Sequence, residues 1–380
     1  MAHRVLVVIG TRPEAIKMAP VVAALRARAP LVETRVCLTG QHTTLVDQVL
    51  RAFDLTPDDD LGIMREGQTL YQVVHGALDG LRDVVRSFRP DVLLVQGDTA
   101  TVFVGSLVAF FEKVKVGHVE AGLRSHDKWA PFPEEIFRRL SDVLSDHYFA
   151  PTGRARDALL GEGVPGDKIH VTGNTVVDAL LSVTGRDRPV QDAVLASALA
   201  APERLVLLTA HRRESFGAPL RRVFGAVRAL ADQVPDVRVV YPVHPNPNVR
   251  EPAQELLAGH PRIHLTAPLD YLDLVAALKG ASLVLTDSGG IQEEAPTFGA
   301  PVLVLRDVTE RPEGVDAGVA ELVGTDAALI LARSRAALER PRSSAPPPNP
   351  YGDGKAGERI ADILVADLTG GARDTRDWQA

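Results

Sequence analysis

The 380-residue sequence predicts a doubly wound α/β protein made of two units of similar size. Three observations carry that prediction. Short apolar runs recur between Gly, Pro and polar punctuation. Amphipathic stretches of helical length lie between the runs, and the pattern restarts past residue 203. The runs are β-branched and apolar on both parities, so both faces need cover, which is how a parallel strand reads.

In chain order the first unit's predicted strands are Val5–Ile9, Val36–Leu38, Val92–Val95, Val114–Val119, Tyr148–Ala150 and Ile169–Val171. The second unit's are Leu205–Leu208, Val237–Val243, Ile263–Leu265, Leu283–Leu285 and Val302–Leu305. Helical stretches include Ala15–Ala29, Leu70–Ser87, Glu135–Ser145, Leu220–Gln233, Leu272–Gly280 and a last helix, Gly357–Leu368. Pro13 suits a first helical turn, and Pro20 predicts a kink. Residues 184–203 carry no strand signal, so a hinge is expected within 173–203. The domains are then 1–172 and 173–356, facing a central cleft that is the natural ligand site. Pro346, Pro347, Pro348 and Pro350 predict a stiff loop, and residues 370–380 a frayed tail. The acidic run Asp58–Asp60 reads as a solvated loop.

Composition narrows the function. Lys and Arg number 42 against 49 Asp and Glu, a net charge of −7, which disfavours nucleic acid as a partner. No apolar run approaches the ~18 residues of a membrane span, and no export signal precedes the first strand. A single cysteine, Cys37, excludes an intramolecular disulfide framework and a Cys-rich zinc site. The expectation is a cytoplasmic protein without membrane or nucleic-acid partners.

In open α/β sheets ligands bind beyond the carboxyl ends of the strands, and here those ends are rich in charge. They read Gly10-Thr11-Arg12-Pro13-Glu14, Thr39-Gly40-Gln41-His42, Gln96-Gly97-Asp98-Thr99 and His118-Val119-Glu120 in the first unit. In the second they read His211-Arg212-Arg213, His244-Pro245-Asn246 and Asp287-Ser288-Gly289-Gly290. Ser288, Gly289 and Gly290 open a helical start, a seat for a phosphate or diphosphate, with Glu293 and Glu294 one turn on for ribose hydroxyls. Arg12 and Lys17 offer cations toward the same anion. Asp98, Glu120 and Glu134 are the proton-transfer candidates, with His211 as their partner. No G-x-G-x-x-G order indicates a dinucleotide, and no G-x-S-x-G elbow a serine nucleophile. His118, Glu120, His211 and His244 are of metal-ligating type, but no ligand spacing joins them.

Taken together and in order, these motifs resemble the bacterial, non-hydrolysing UDP-N-acetylglucosamine 2-epimerases. Pro133-Glu134-Glu135 with Arg138, His211-Arg212-Arg213-Glu214, Thr309-Glu310-Arg311-Pro312-Glu313 and Asn349-Pro350-Tyr351-Gly352-Asp353-Gly354 extend the resemblance over about residues 4 to 366. It implies a glycosyltransferase B-type fold of two Rossmann-like domains, the last helix, about 357–369, returning to the first. It implies reversible inversion at carbon 2 of UDP-N-acetylglucosamine to UDP-N-acetylmannosamine, by anti elimination of UDP to a 2-acetamidoglucal and re-addition, with no cofactor and no metal. Asp98, Glu120, Glu134 and His211 are the implied catalytic set. Arg12, Lys17, Arg138, Ser288, Gly289, Gly290, Glu294 and Arg311 are implied to hold substrate. Gln41, His42, Arg212 and His244 match positions of a second, activating substrate site, while Thr44 and Gly67 replace a Gln and an Arg of strongly regulated relatives. The partners implied are UDP-N-acetylglucosamine, UDP and a second copy of the chain. A hydrolysing epimerase releasing UDP and N-acetylmannosamine, or a glycosyltransferase of the same fold, is the rival reading.

Overall fold

Among the described residues seven strands form the first sheet: β1 (His3–Ile9), β2 (Val32–Leu38), β3 (Asp59–Asp60), β4 (Val92–Gln96), β5 (Lys115–Val119), β6 (His147–Ala150) and β7 (Ile169–Val171). Six form the second: β8 (Arg204–Thr209), β9 (Val237–Pro242), β10 (Ile263–Thr266), β11 (Ala281–Thr286), β12 (Val302–Val304) and β13 (Ala320–Leu322). The structure is a computed structural model that describes residues 2–40, 44–65, 67–186, 188–340 and 347–379. The strand orders are β3-β2-β1-β4-β5-β6-β7 and β10-β9-β8-β11-β12-β13, and every pairing is parallel. Each order reverses direction once, between β1 and β4 and between β8 and β11, which makes those strand ends the switch points of the two sheets.

Both faces of each sheet are covered, as the apolar runs require. Along β8, Val206 and Leu208 enter one core cluster with Phe224 and Tyr241, while Leu205 and Leu207 enter the other with Leu278 and Ile291. The period of two in a strand sends successive side chains to opposite faces, so one sequence run builds two cores. In the first sheet, Leu93 and Val95 of β4 pack against Leu81, Val85 and Phe88 of the helix Leu70–Phe88. No helix among the described residues is long and apolar enough to cross a membrane.

The chain divides into two compact units, residues 1–183 with 351–380, and residues 184–350. The first unit therefore extends past 172. The helix Thr175–Thr184 buries Val176, Val177, Leu180 and Val183, and Asp178 in it accepts the Gly357 N–H at 2.7 Å. Asn174 donates its backbone N–H to Tyr351 at 2.7 Å, so the partners of this segment lie far along the chain, where no local pattern reveals them. The last helix, Ala356–Thr369, packs on the helix Arg12–Arg26, where Gly357 sits against the Pro20 carbonyl. The first helix runs through Pro20 without a break and stops at Arg26, three residues short of the sequence reading.

Two further expectations are corrected. The tail is not frayed: Trp378 is buried, its N–H donates to the Val171 carbonyl at 2.8 Å, and Asp377 accepts the Val171 N–H at 3.0 Å. The tail thus covers the exposed edge of β7. Asp59 and Asp60 are a short edge strand rather than a loop, held because Asp59 pairs with Arg35 at 2.7 Å and Asp58 accepts the Val36 N–H at 2.8 Å.

Candidate active site

In the first unit the functional side chains sit on the loops after β1, β4 and β5 and on the helix Glu134–Leu144. Glu120 directly follows β5 with φ of +69°, a left-handed conformation that a non-glycine residue adopts at a cost. Gly122, two residues on, has φ of +89°, and a Cβ there would lie 2.3 Å from the Ala155 carbonyl oxygen. This forced turn aims the Glu120 carboxylate, which is nearly buried, at three donors. Lys17 Nζ lies 2.5 Å away and Asn174 Nδ2 3.1 Å, and the Gln96 amide donates to the second oxygen. Lys17 therefore serves Glu120 rather than standing clear for an anion.

Asp98 follows β4 and is held by the Arg138 guanidinium. Arg138 also donates to Glu135 at 2.8 Å, and Glu135 accepts the backbone N–H groups of Ser125 and His126 at 3.0 and 3.2 Å. Arg138 is thus a brace between a candidate acid/base and a buried carboxylate, not a cation committed to a diphosphate. Glu134 opens the same helix, partly exposed, where the helix dipole favours its negative charge. Arg12 begins the first helix at the end of β1, half-buried.

Two residues that sequence reasoning left without a role stand behind this cluster. Glu14 is fully buried and accepts the Gly10 N–H at 2.6 Å and the Thr11 hydroxyl at 3.0 Å, with the Thr99 hydroxyl as a third donor. It thereby ties the loop after β1 to the loop after β4. Burial pushes its carboxyl up to about 7, against the help of those donors, and neighbouring Asp98 adds to the rise. The Thr11-x-x-Glu14 spacing of a capping box was the available signal. His118 is the second, and both its ring nitrogens are occupied, by Gly97 O at 2.7 Å and Asp142 at 2.6 Å. That pairing leaves it no lone pair for a metal.

In the second unit Asp287, at the end of β11, is buried and accepts the backbone N–H groups of His211 and Arg212 at 2.6 and 2.8 Å. Its other oxygen lies 3.5 Å from His211 Nδ1. Burial raises the Asp287 pKa despite His211 and Arg212 nearby. His211 stacks on His244 with ring centres 5.5 Å apart, and His244 Nδ1 accepts the Asn246 N–H at 3.1 Å. Burial, then the neighbouring His211, holds the His244 pKa below its ordinary value.

Ser288 caps the short helix Gly289–Glu294 without using its hydroxyl for the cap. A Cβ on Gly289 would lie 2.7 Å from Arg311 Cζ, so the bare backbone lets the guanidinium lie directly on the turn. At Gly290 the corresponding position meets the Ser288 hydroxyl at 4.0 Å. Arg311 donates to Glu293 at 2.9 Å and Glu310 at 2.5 Å, and Glu310 also takes Arg306 at 2.7 Å and Arg212 at 3.3 Å. Burial opposes the Glu310 charge, but the surrounding guanidiniums outweigh it and hold the pKa at about 2. Arg212 and Arg311 thus belong to one network, while Glu294 is buried one turn beyond the glycines. Gln41 and His42 lie outside the described residues, as does the side chain of Thr44.

A sequence model of the family described as UDP-N-acetylglucosamine 2-epimerase matches residues 23–365. The UDP-N-acetylglucosamine 2-epimerase of Bacillus subtilis is 47% identical over 367 residues, 95% of either chain. The crystal structure of UDP-GlcNAc 2-epimerase from Neisseria meningitidis bound to UDP-GlcNAc is 43% identical, with a TM-score of 0.86 over 97% of this chain and 100% of that one. A glycotransferase of kitacinnamycin, 14% identical with a TM-score of 0.62 over 97% of this chain and 99% of that one, shares the glycosyltransferase B-type fold alone. With its two parallel sheets, its switch-point loops and these matches over nearly its whole length, the chain belongs to the UDP-N-acetylglucosamine 2-epimerase family.

Proposed function

We propose that the protein interconverts UDP-N-acetylglucosamine and UDP-N-acetylmannosamine without hydrolysis. The carbon-2 proton is weakly acidic, so a base removes it as the diphosphate leaves carbon 1 on the opposite face. The products of that step are UDP and a 2-acetamidoglucal. UDP then adds back while a proton is delivered to the other face of carbon 2, which inverts it. Asp98, Glu120 and Glu134 form the acid/base set, and His211, Ser288 and the amides of Gly289 and Gly290 stabilise the departing charge. Arg12 and Arg311 add positive charge for the diphosphate, and Glu294 takes the ribose.

The observation that supports this reading best is the grouping of Asp98 and Glu120 at adjacent strand ends, each wired to its own cation. A passive anion site gains nothing from such carboxylates. The Neisseria relative's capture with UDP-GlcNAc fits the same substrate. Proton NMR of UDP-N-acetylglucosamine with the protein in heavy water tests it. Signals of UDP-N-acetylmannosamine with deuterium at carbon 2 are expected. UDP rising in step with free N-acetylmannosamine, or no carbon-2 exchange, overturns it.

We further propose that the chain works as a homodimer. Phe110 and Phe111 at the end of one helix and Val143 on the helix packed beside it leave large apolar surface exposed. Light scattering at twice the 40.8 kDa chain mass is the expected result, and the chain mass itself refutes it.

A further inference from the structure

His118 and Asp142 meet beneath the carboxylates of the first unit, and the elements that carry Asp98, Glu120 and Glu134 are each attached to one or the other. His118 lies on β5, fully enclosed, and its Nε2 reaches the Gly97 carbonyl, one residue before Asp98. Its Nδ1 reaches Asp142 Oδ1 on the helix that also carries Glu134 and Arg138. Asp142 Oδ2 accepts the Gly122 N–H at 3.3 Å, in the turn that sets Glu120, and the Arg124 guanidinium at 2.7 Å. Arg124 then pairs with Glu162 at 2.8 Å.

The donor count fixes the protonation state. A backbone carbonyl only accepts, so Nε2 carries a proton. Asp142 is ionised, because a guanidinium and a backbone N–H both donate to it, so Nδ1 carries a proton as well. His118 is therefore an imidazolium, although it is buried. Its charge and that of Arg124 balance Asp142 and Glu162, so the group of four is neutral as a whole. The electrostatics agree. Burial works against a charged His118, yet Asp142 and the Gly97 carbonyl outweigh both burial and the repulsion from Arg124 and raise its pKa. The Asp142 pKa is lowered against the same burial penalty by His118 and Arg124.

We propose that the His118–Asp142 pair is the positioning element of the carboxylate cluster, a buried ion pair that sets the loop of Asp98, the turn of Glu120 and the helix of Glu134 in mutual register. It rests on the epimerase reading for what the carboxylates do. A helix and two loops have three independent ways to drift, and one pair with four bonds removes them together. A shift of about 1 Å in a catalytic group costs roughly 100-fold in rate, which gives such a brace its value.

Two measurements test it. In protein labelled with ¹⁵N-histidine, the His118 ring should lose its second proton at a higher pH than an ordinary imidazole, and a ring nitrogen already unprotonated at the ordinary value of 6.5 overturns the proposal whether or not the protein is an epimerase. In the variants His118→Gln and Asp142→Asn, the epimerisation kcat should fall roughly 100-fold while the UDP dissociation constant, measured by calorimetry, stays within about twofold. His118→Gln, whose amide can still reach the Gly97 carbonyl, should retain more activity than His118→Ala at equal melting temperature. Variant kcat at the wild-type level overturns the positioning role. Failure of the wild type in the same assay overturns instead the epimerase reading.

Discussion

Replacing Glu14 by Gln should make the first unit less sensitive to pH, by an amount the structure sets. The carboxyl titrates near 7 in the folded chain against an ordinary value of 4.5. Because the folded pKa is raised, the folded state holds its proton more tightly. Stability is then complete below the unfolded value and declines as pH climbs through 7. The full loss is roughly 3 kcal/mol, most of which falls between pH 5 and pH 8. Gln removes the titration and keeps the volume, so the variant should gain roughly 2 to 3 kcal/mol on the wild type over that interval. Both tryptophans, Trp129 and Trp378, lie in the first unit, so urea unfolding followed by tryptophan fluorescence reports that unit alone. A wild-type minus variant difference that stays flat to within about 0.5 kcal/mol from pH 5 to 8 would refute the reasoning, for it would mean that the carboxyl ionises at its ordinary pKa despite burial.

Other outcomes follow from the same geometry. Gly289→Ala places a methyl 2.7 Å from Arg311 Cζ, and UDP binding by calorimetry should weaken about tenfold, with unchanged affinity as the contrary result. Trp378→Ala empties the site where the tail covers β7 and should cost the first unit about 3 kcal/mol in urea unfolding. Asp98→Asn and Glu120→Gln should each lower turnover by about 100-fold or more, measured by carbon-2 deuterium exchange. Wild-type rates in both would end the assignment of the cluster.

The sequence shows where a pattern is local and hides what depends on distant partners. Strands such as β1 and β8 were legible because apolar side chains on both parities admit few other structures. Helix Ala100–Phe111 was not, because ATVFVGSLVAFF is apolar nearly all round and offers no polar face from which to read a period. Asp59 and Asp60 have poor strand propensity, yet the backbone of Cys37 and Leu38 supplies their pairing. The motifs located the acid/base candidates. They could not show that Lys17 and Arg138 are their counter-ions, since those pairs span 103 and 40 residues.

The two units meet one physical problem with different residues. Where a sheet reverses its strand order, two neighbouring strand ends part, and their backbone N–H groups lose the partners that a continuing ladder would give. The first unit supplies an acceptor from the helix after β1, Glu14, which takes Gly10 and reaches across to Thr99. The second supplies it from the end of β11, where Asp287 takes the His211 and Arg212 N–H groups across at β8. A carboxylate in that position is shielded from water by the loops it holds, so its pKa is raised in both units. The device therefore places at each pair of strand ends a carboxyl that burial makes costly to ionise. Because the acid comes from opposite members of the strand pair in the two units, and as Glu in one and Asp in the other, the correspondence leaves no repeat in the sequence and emerges only from the bonds.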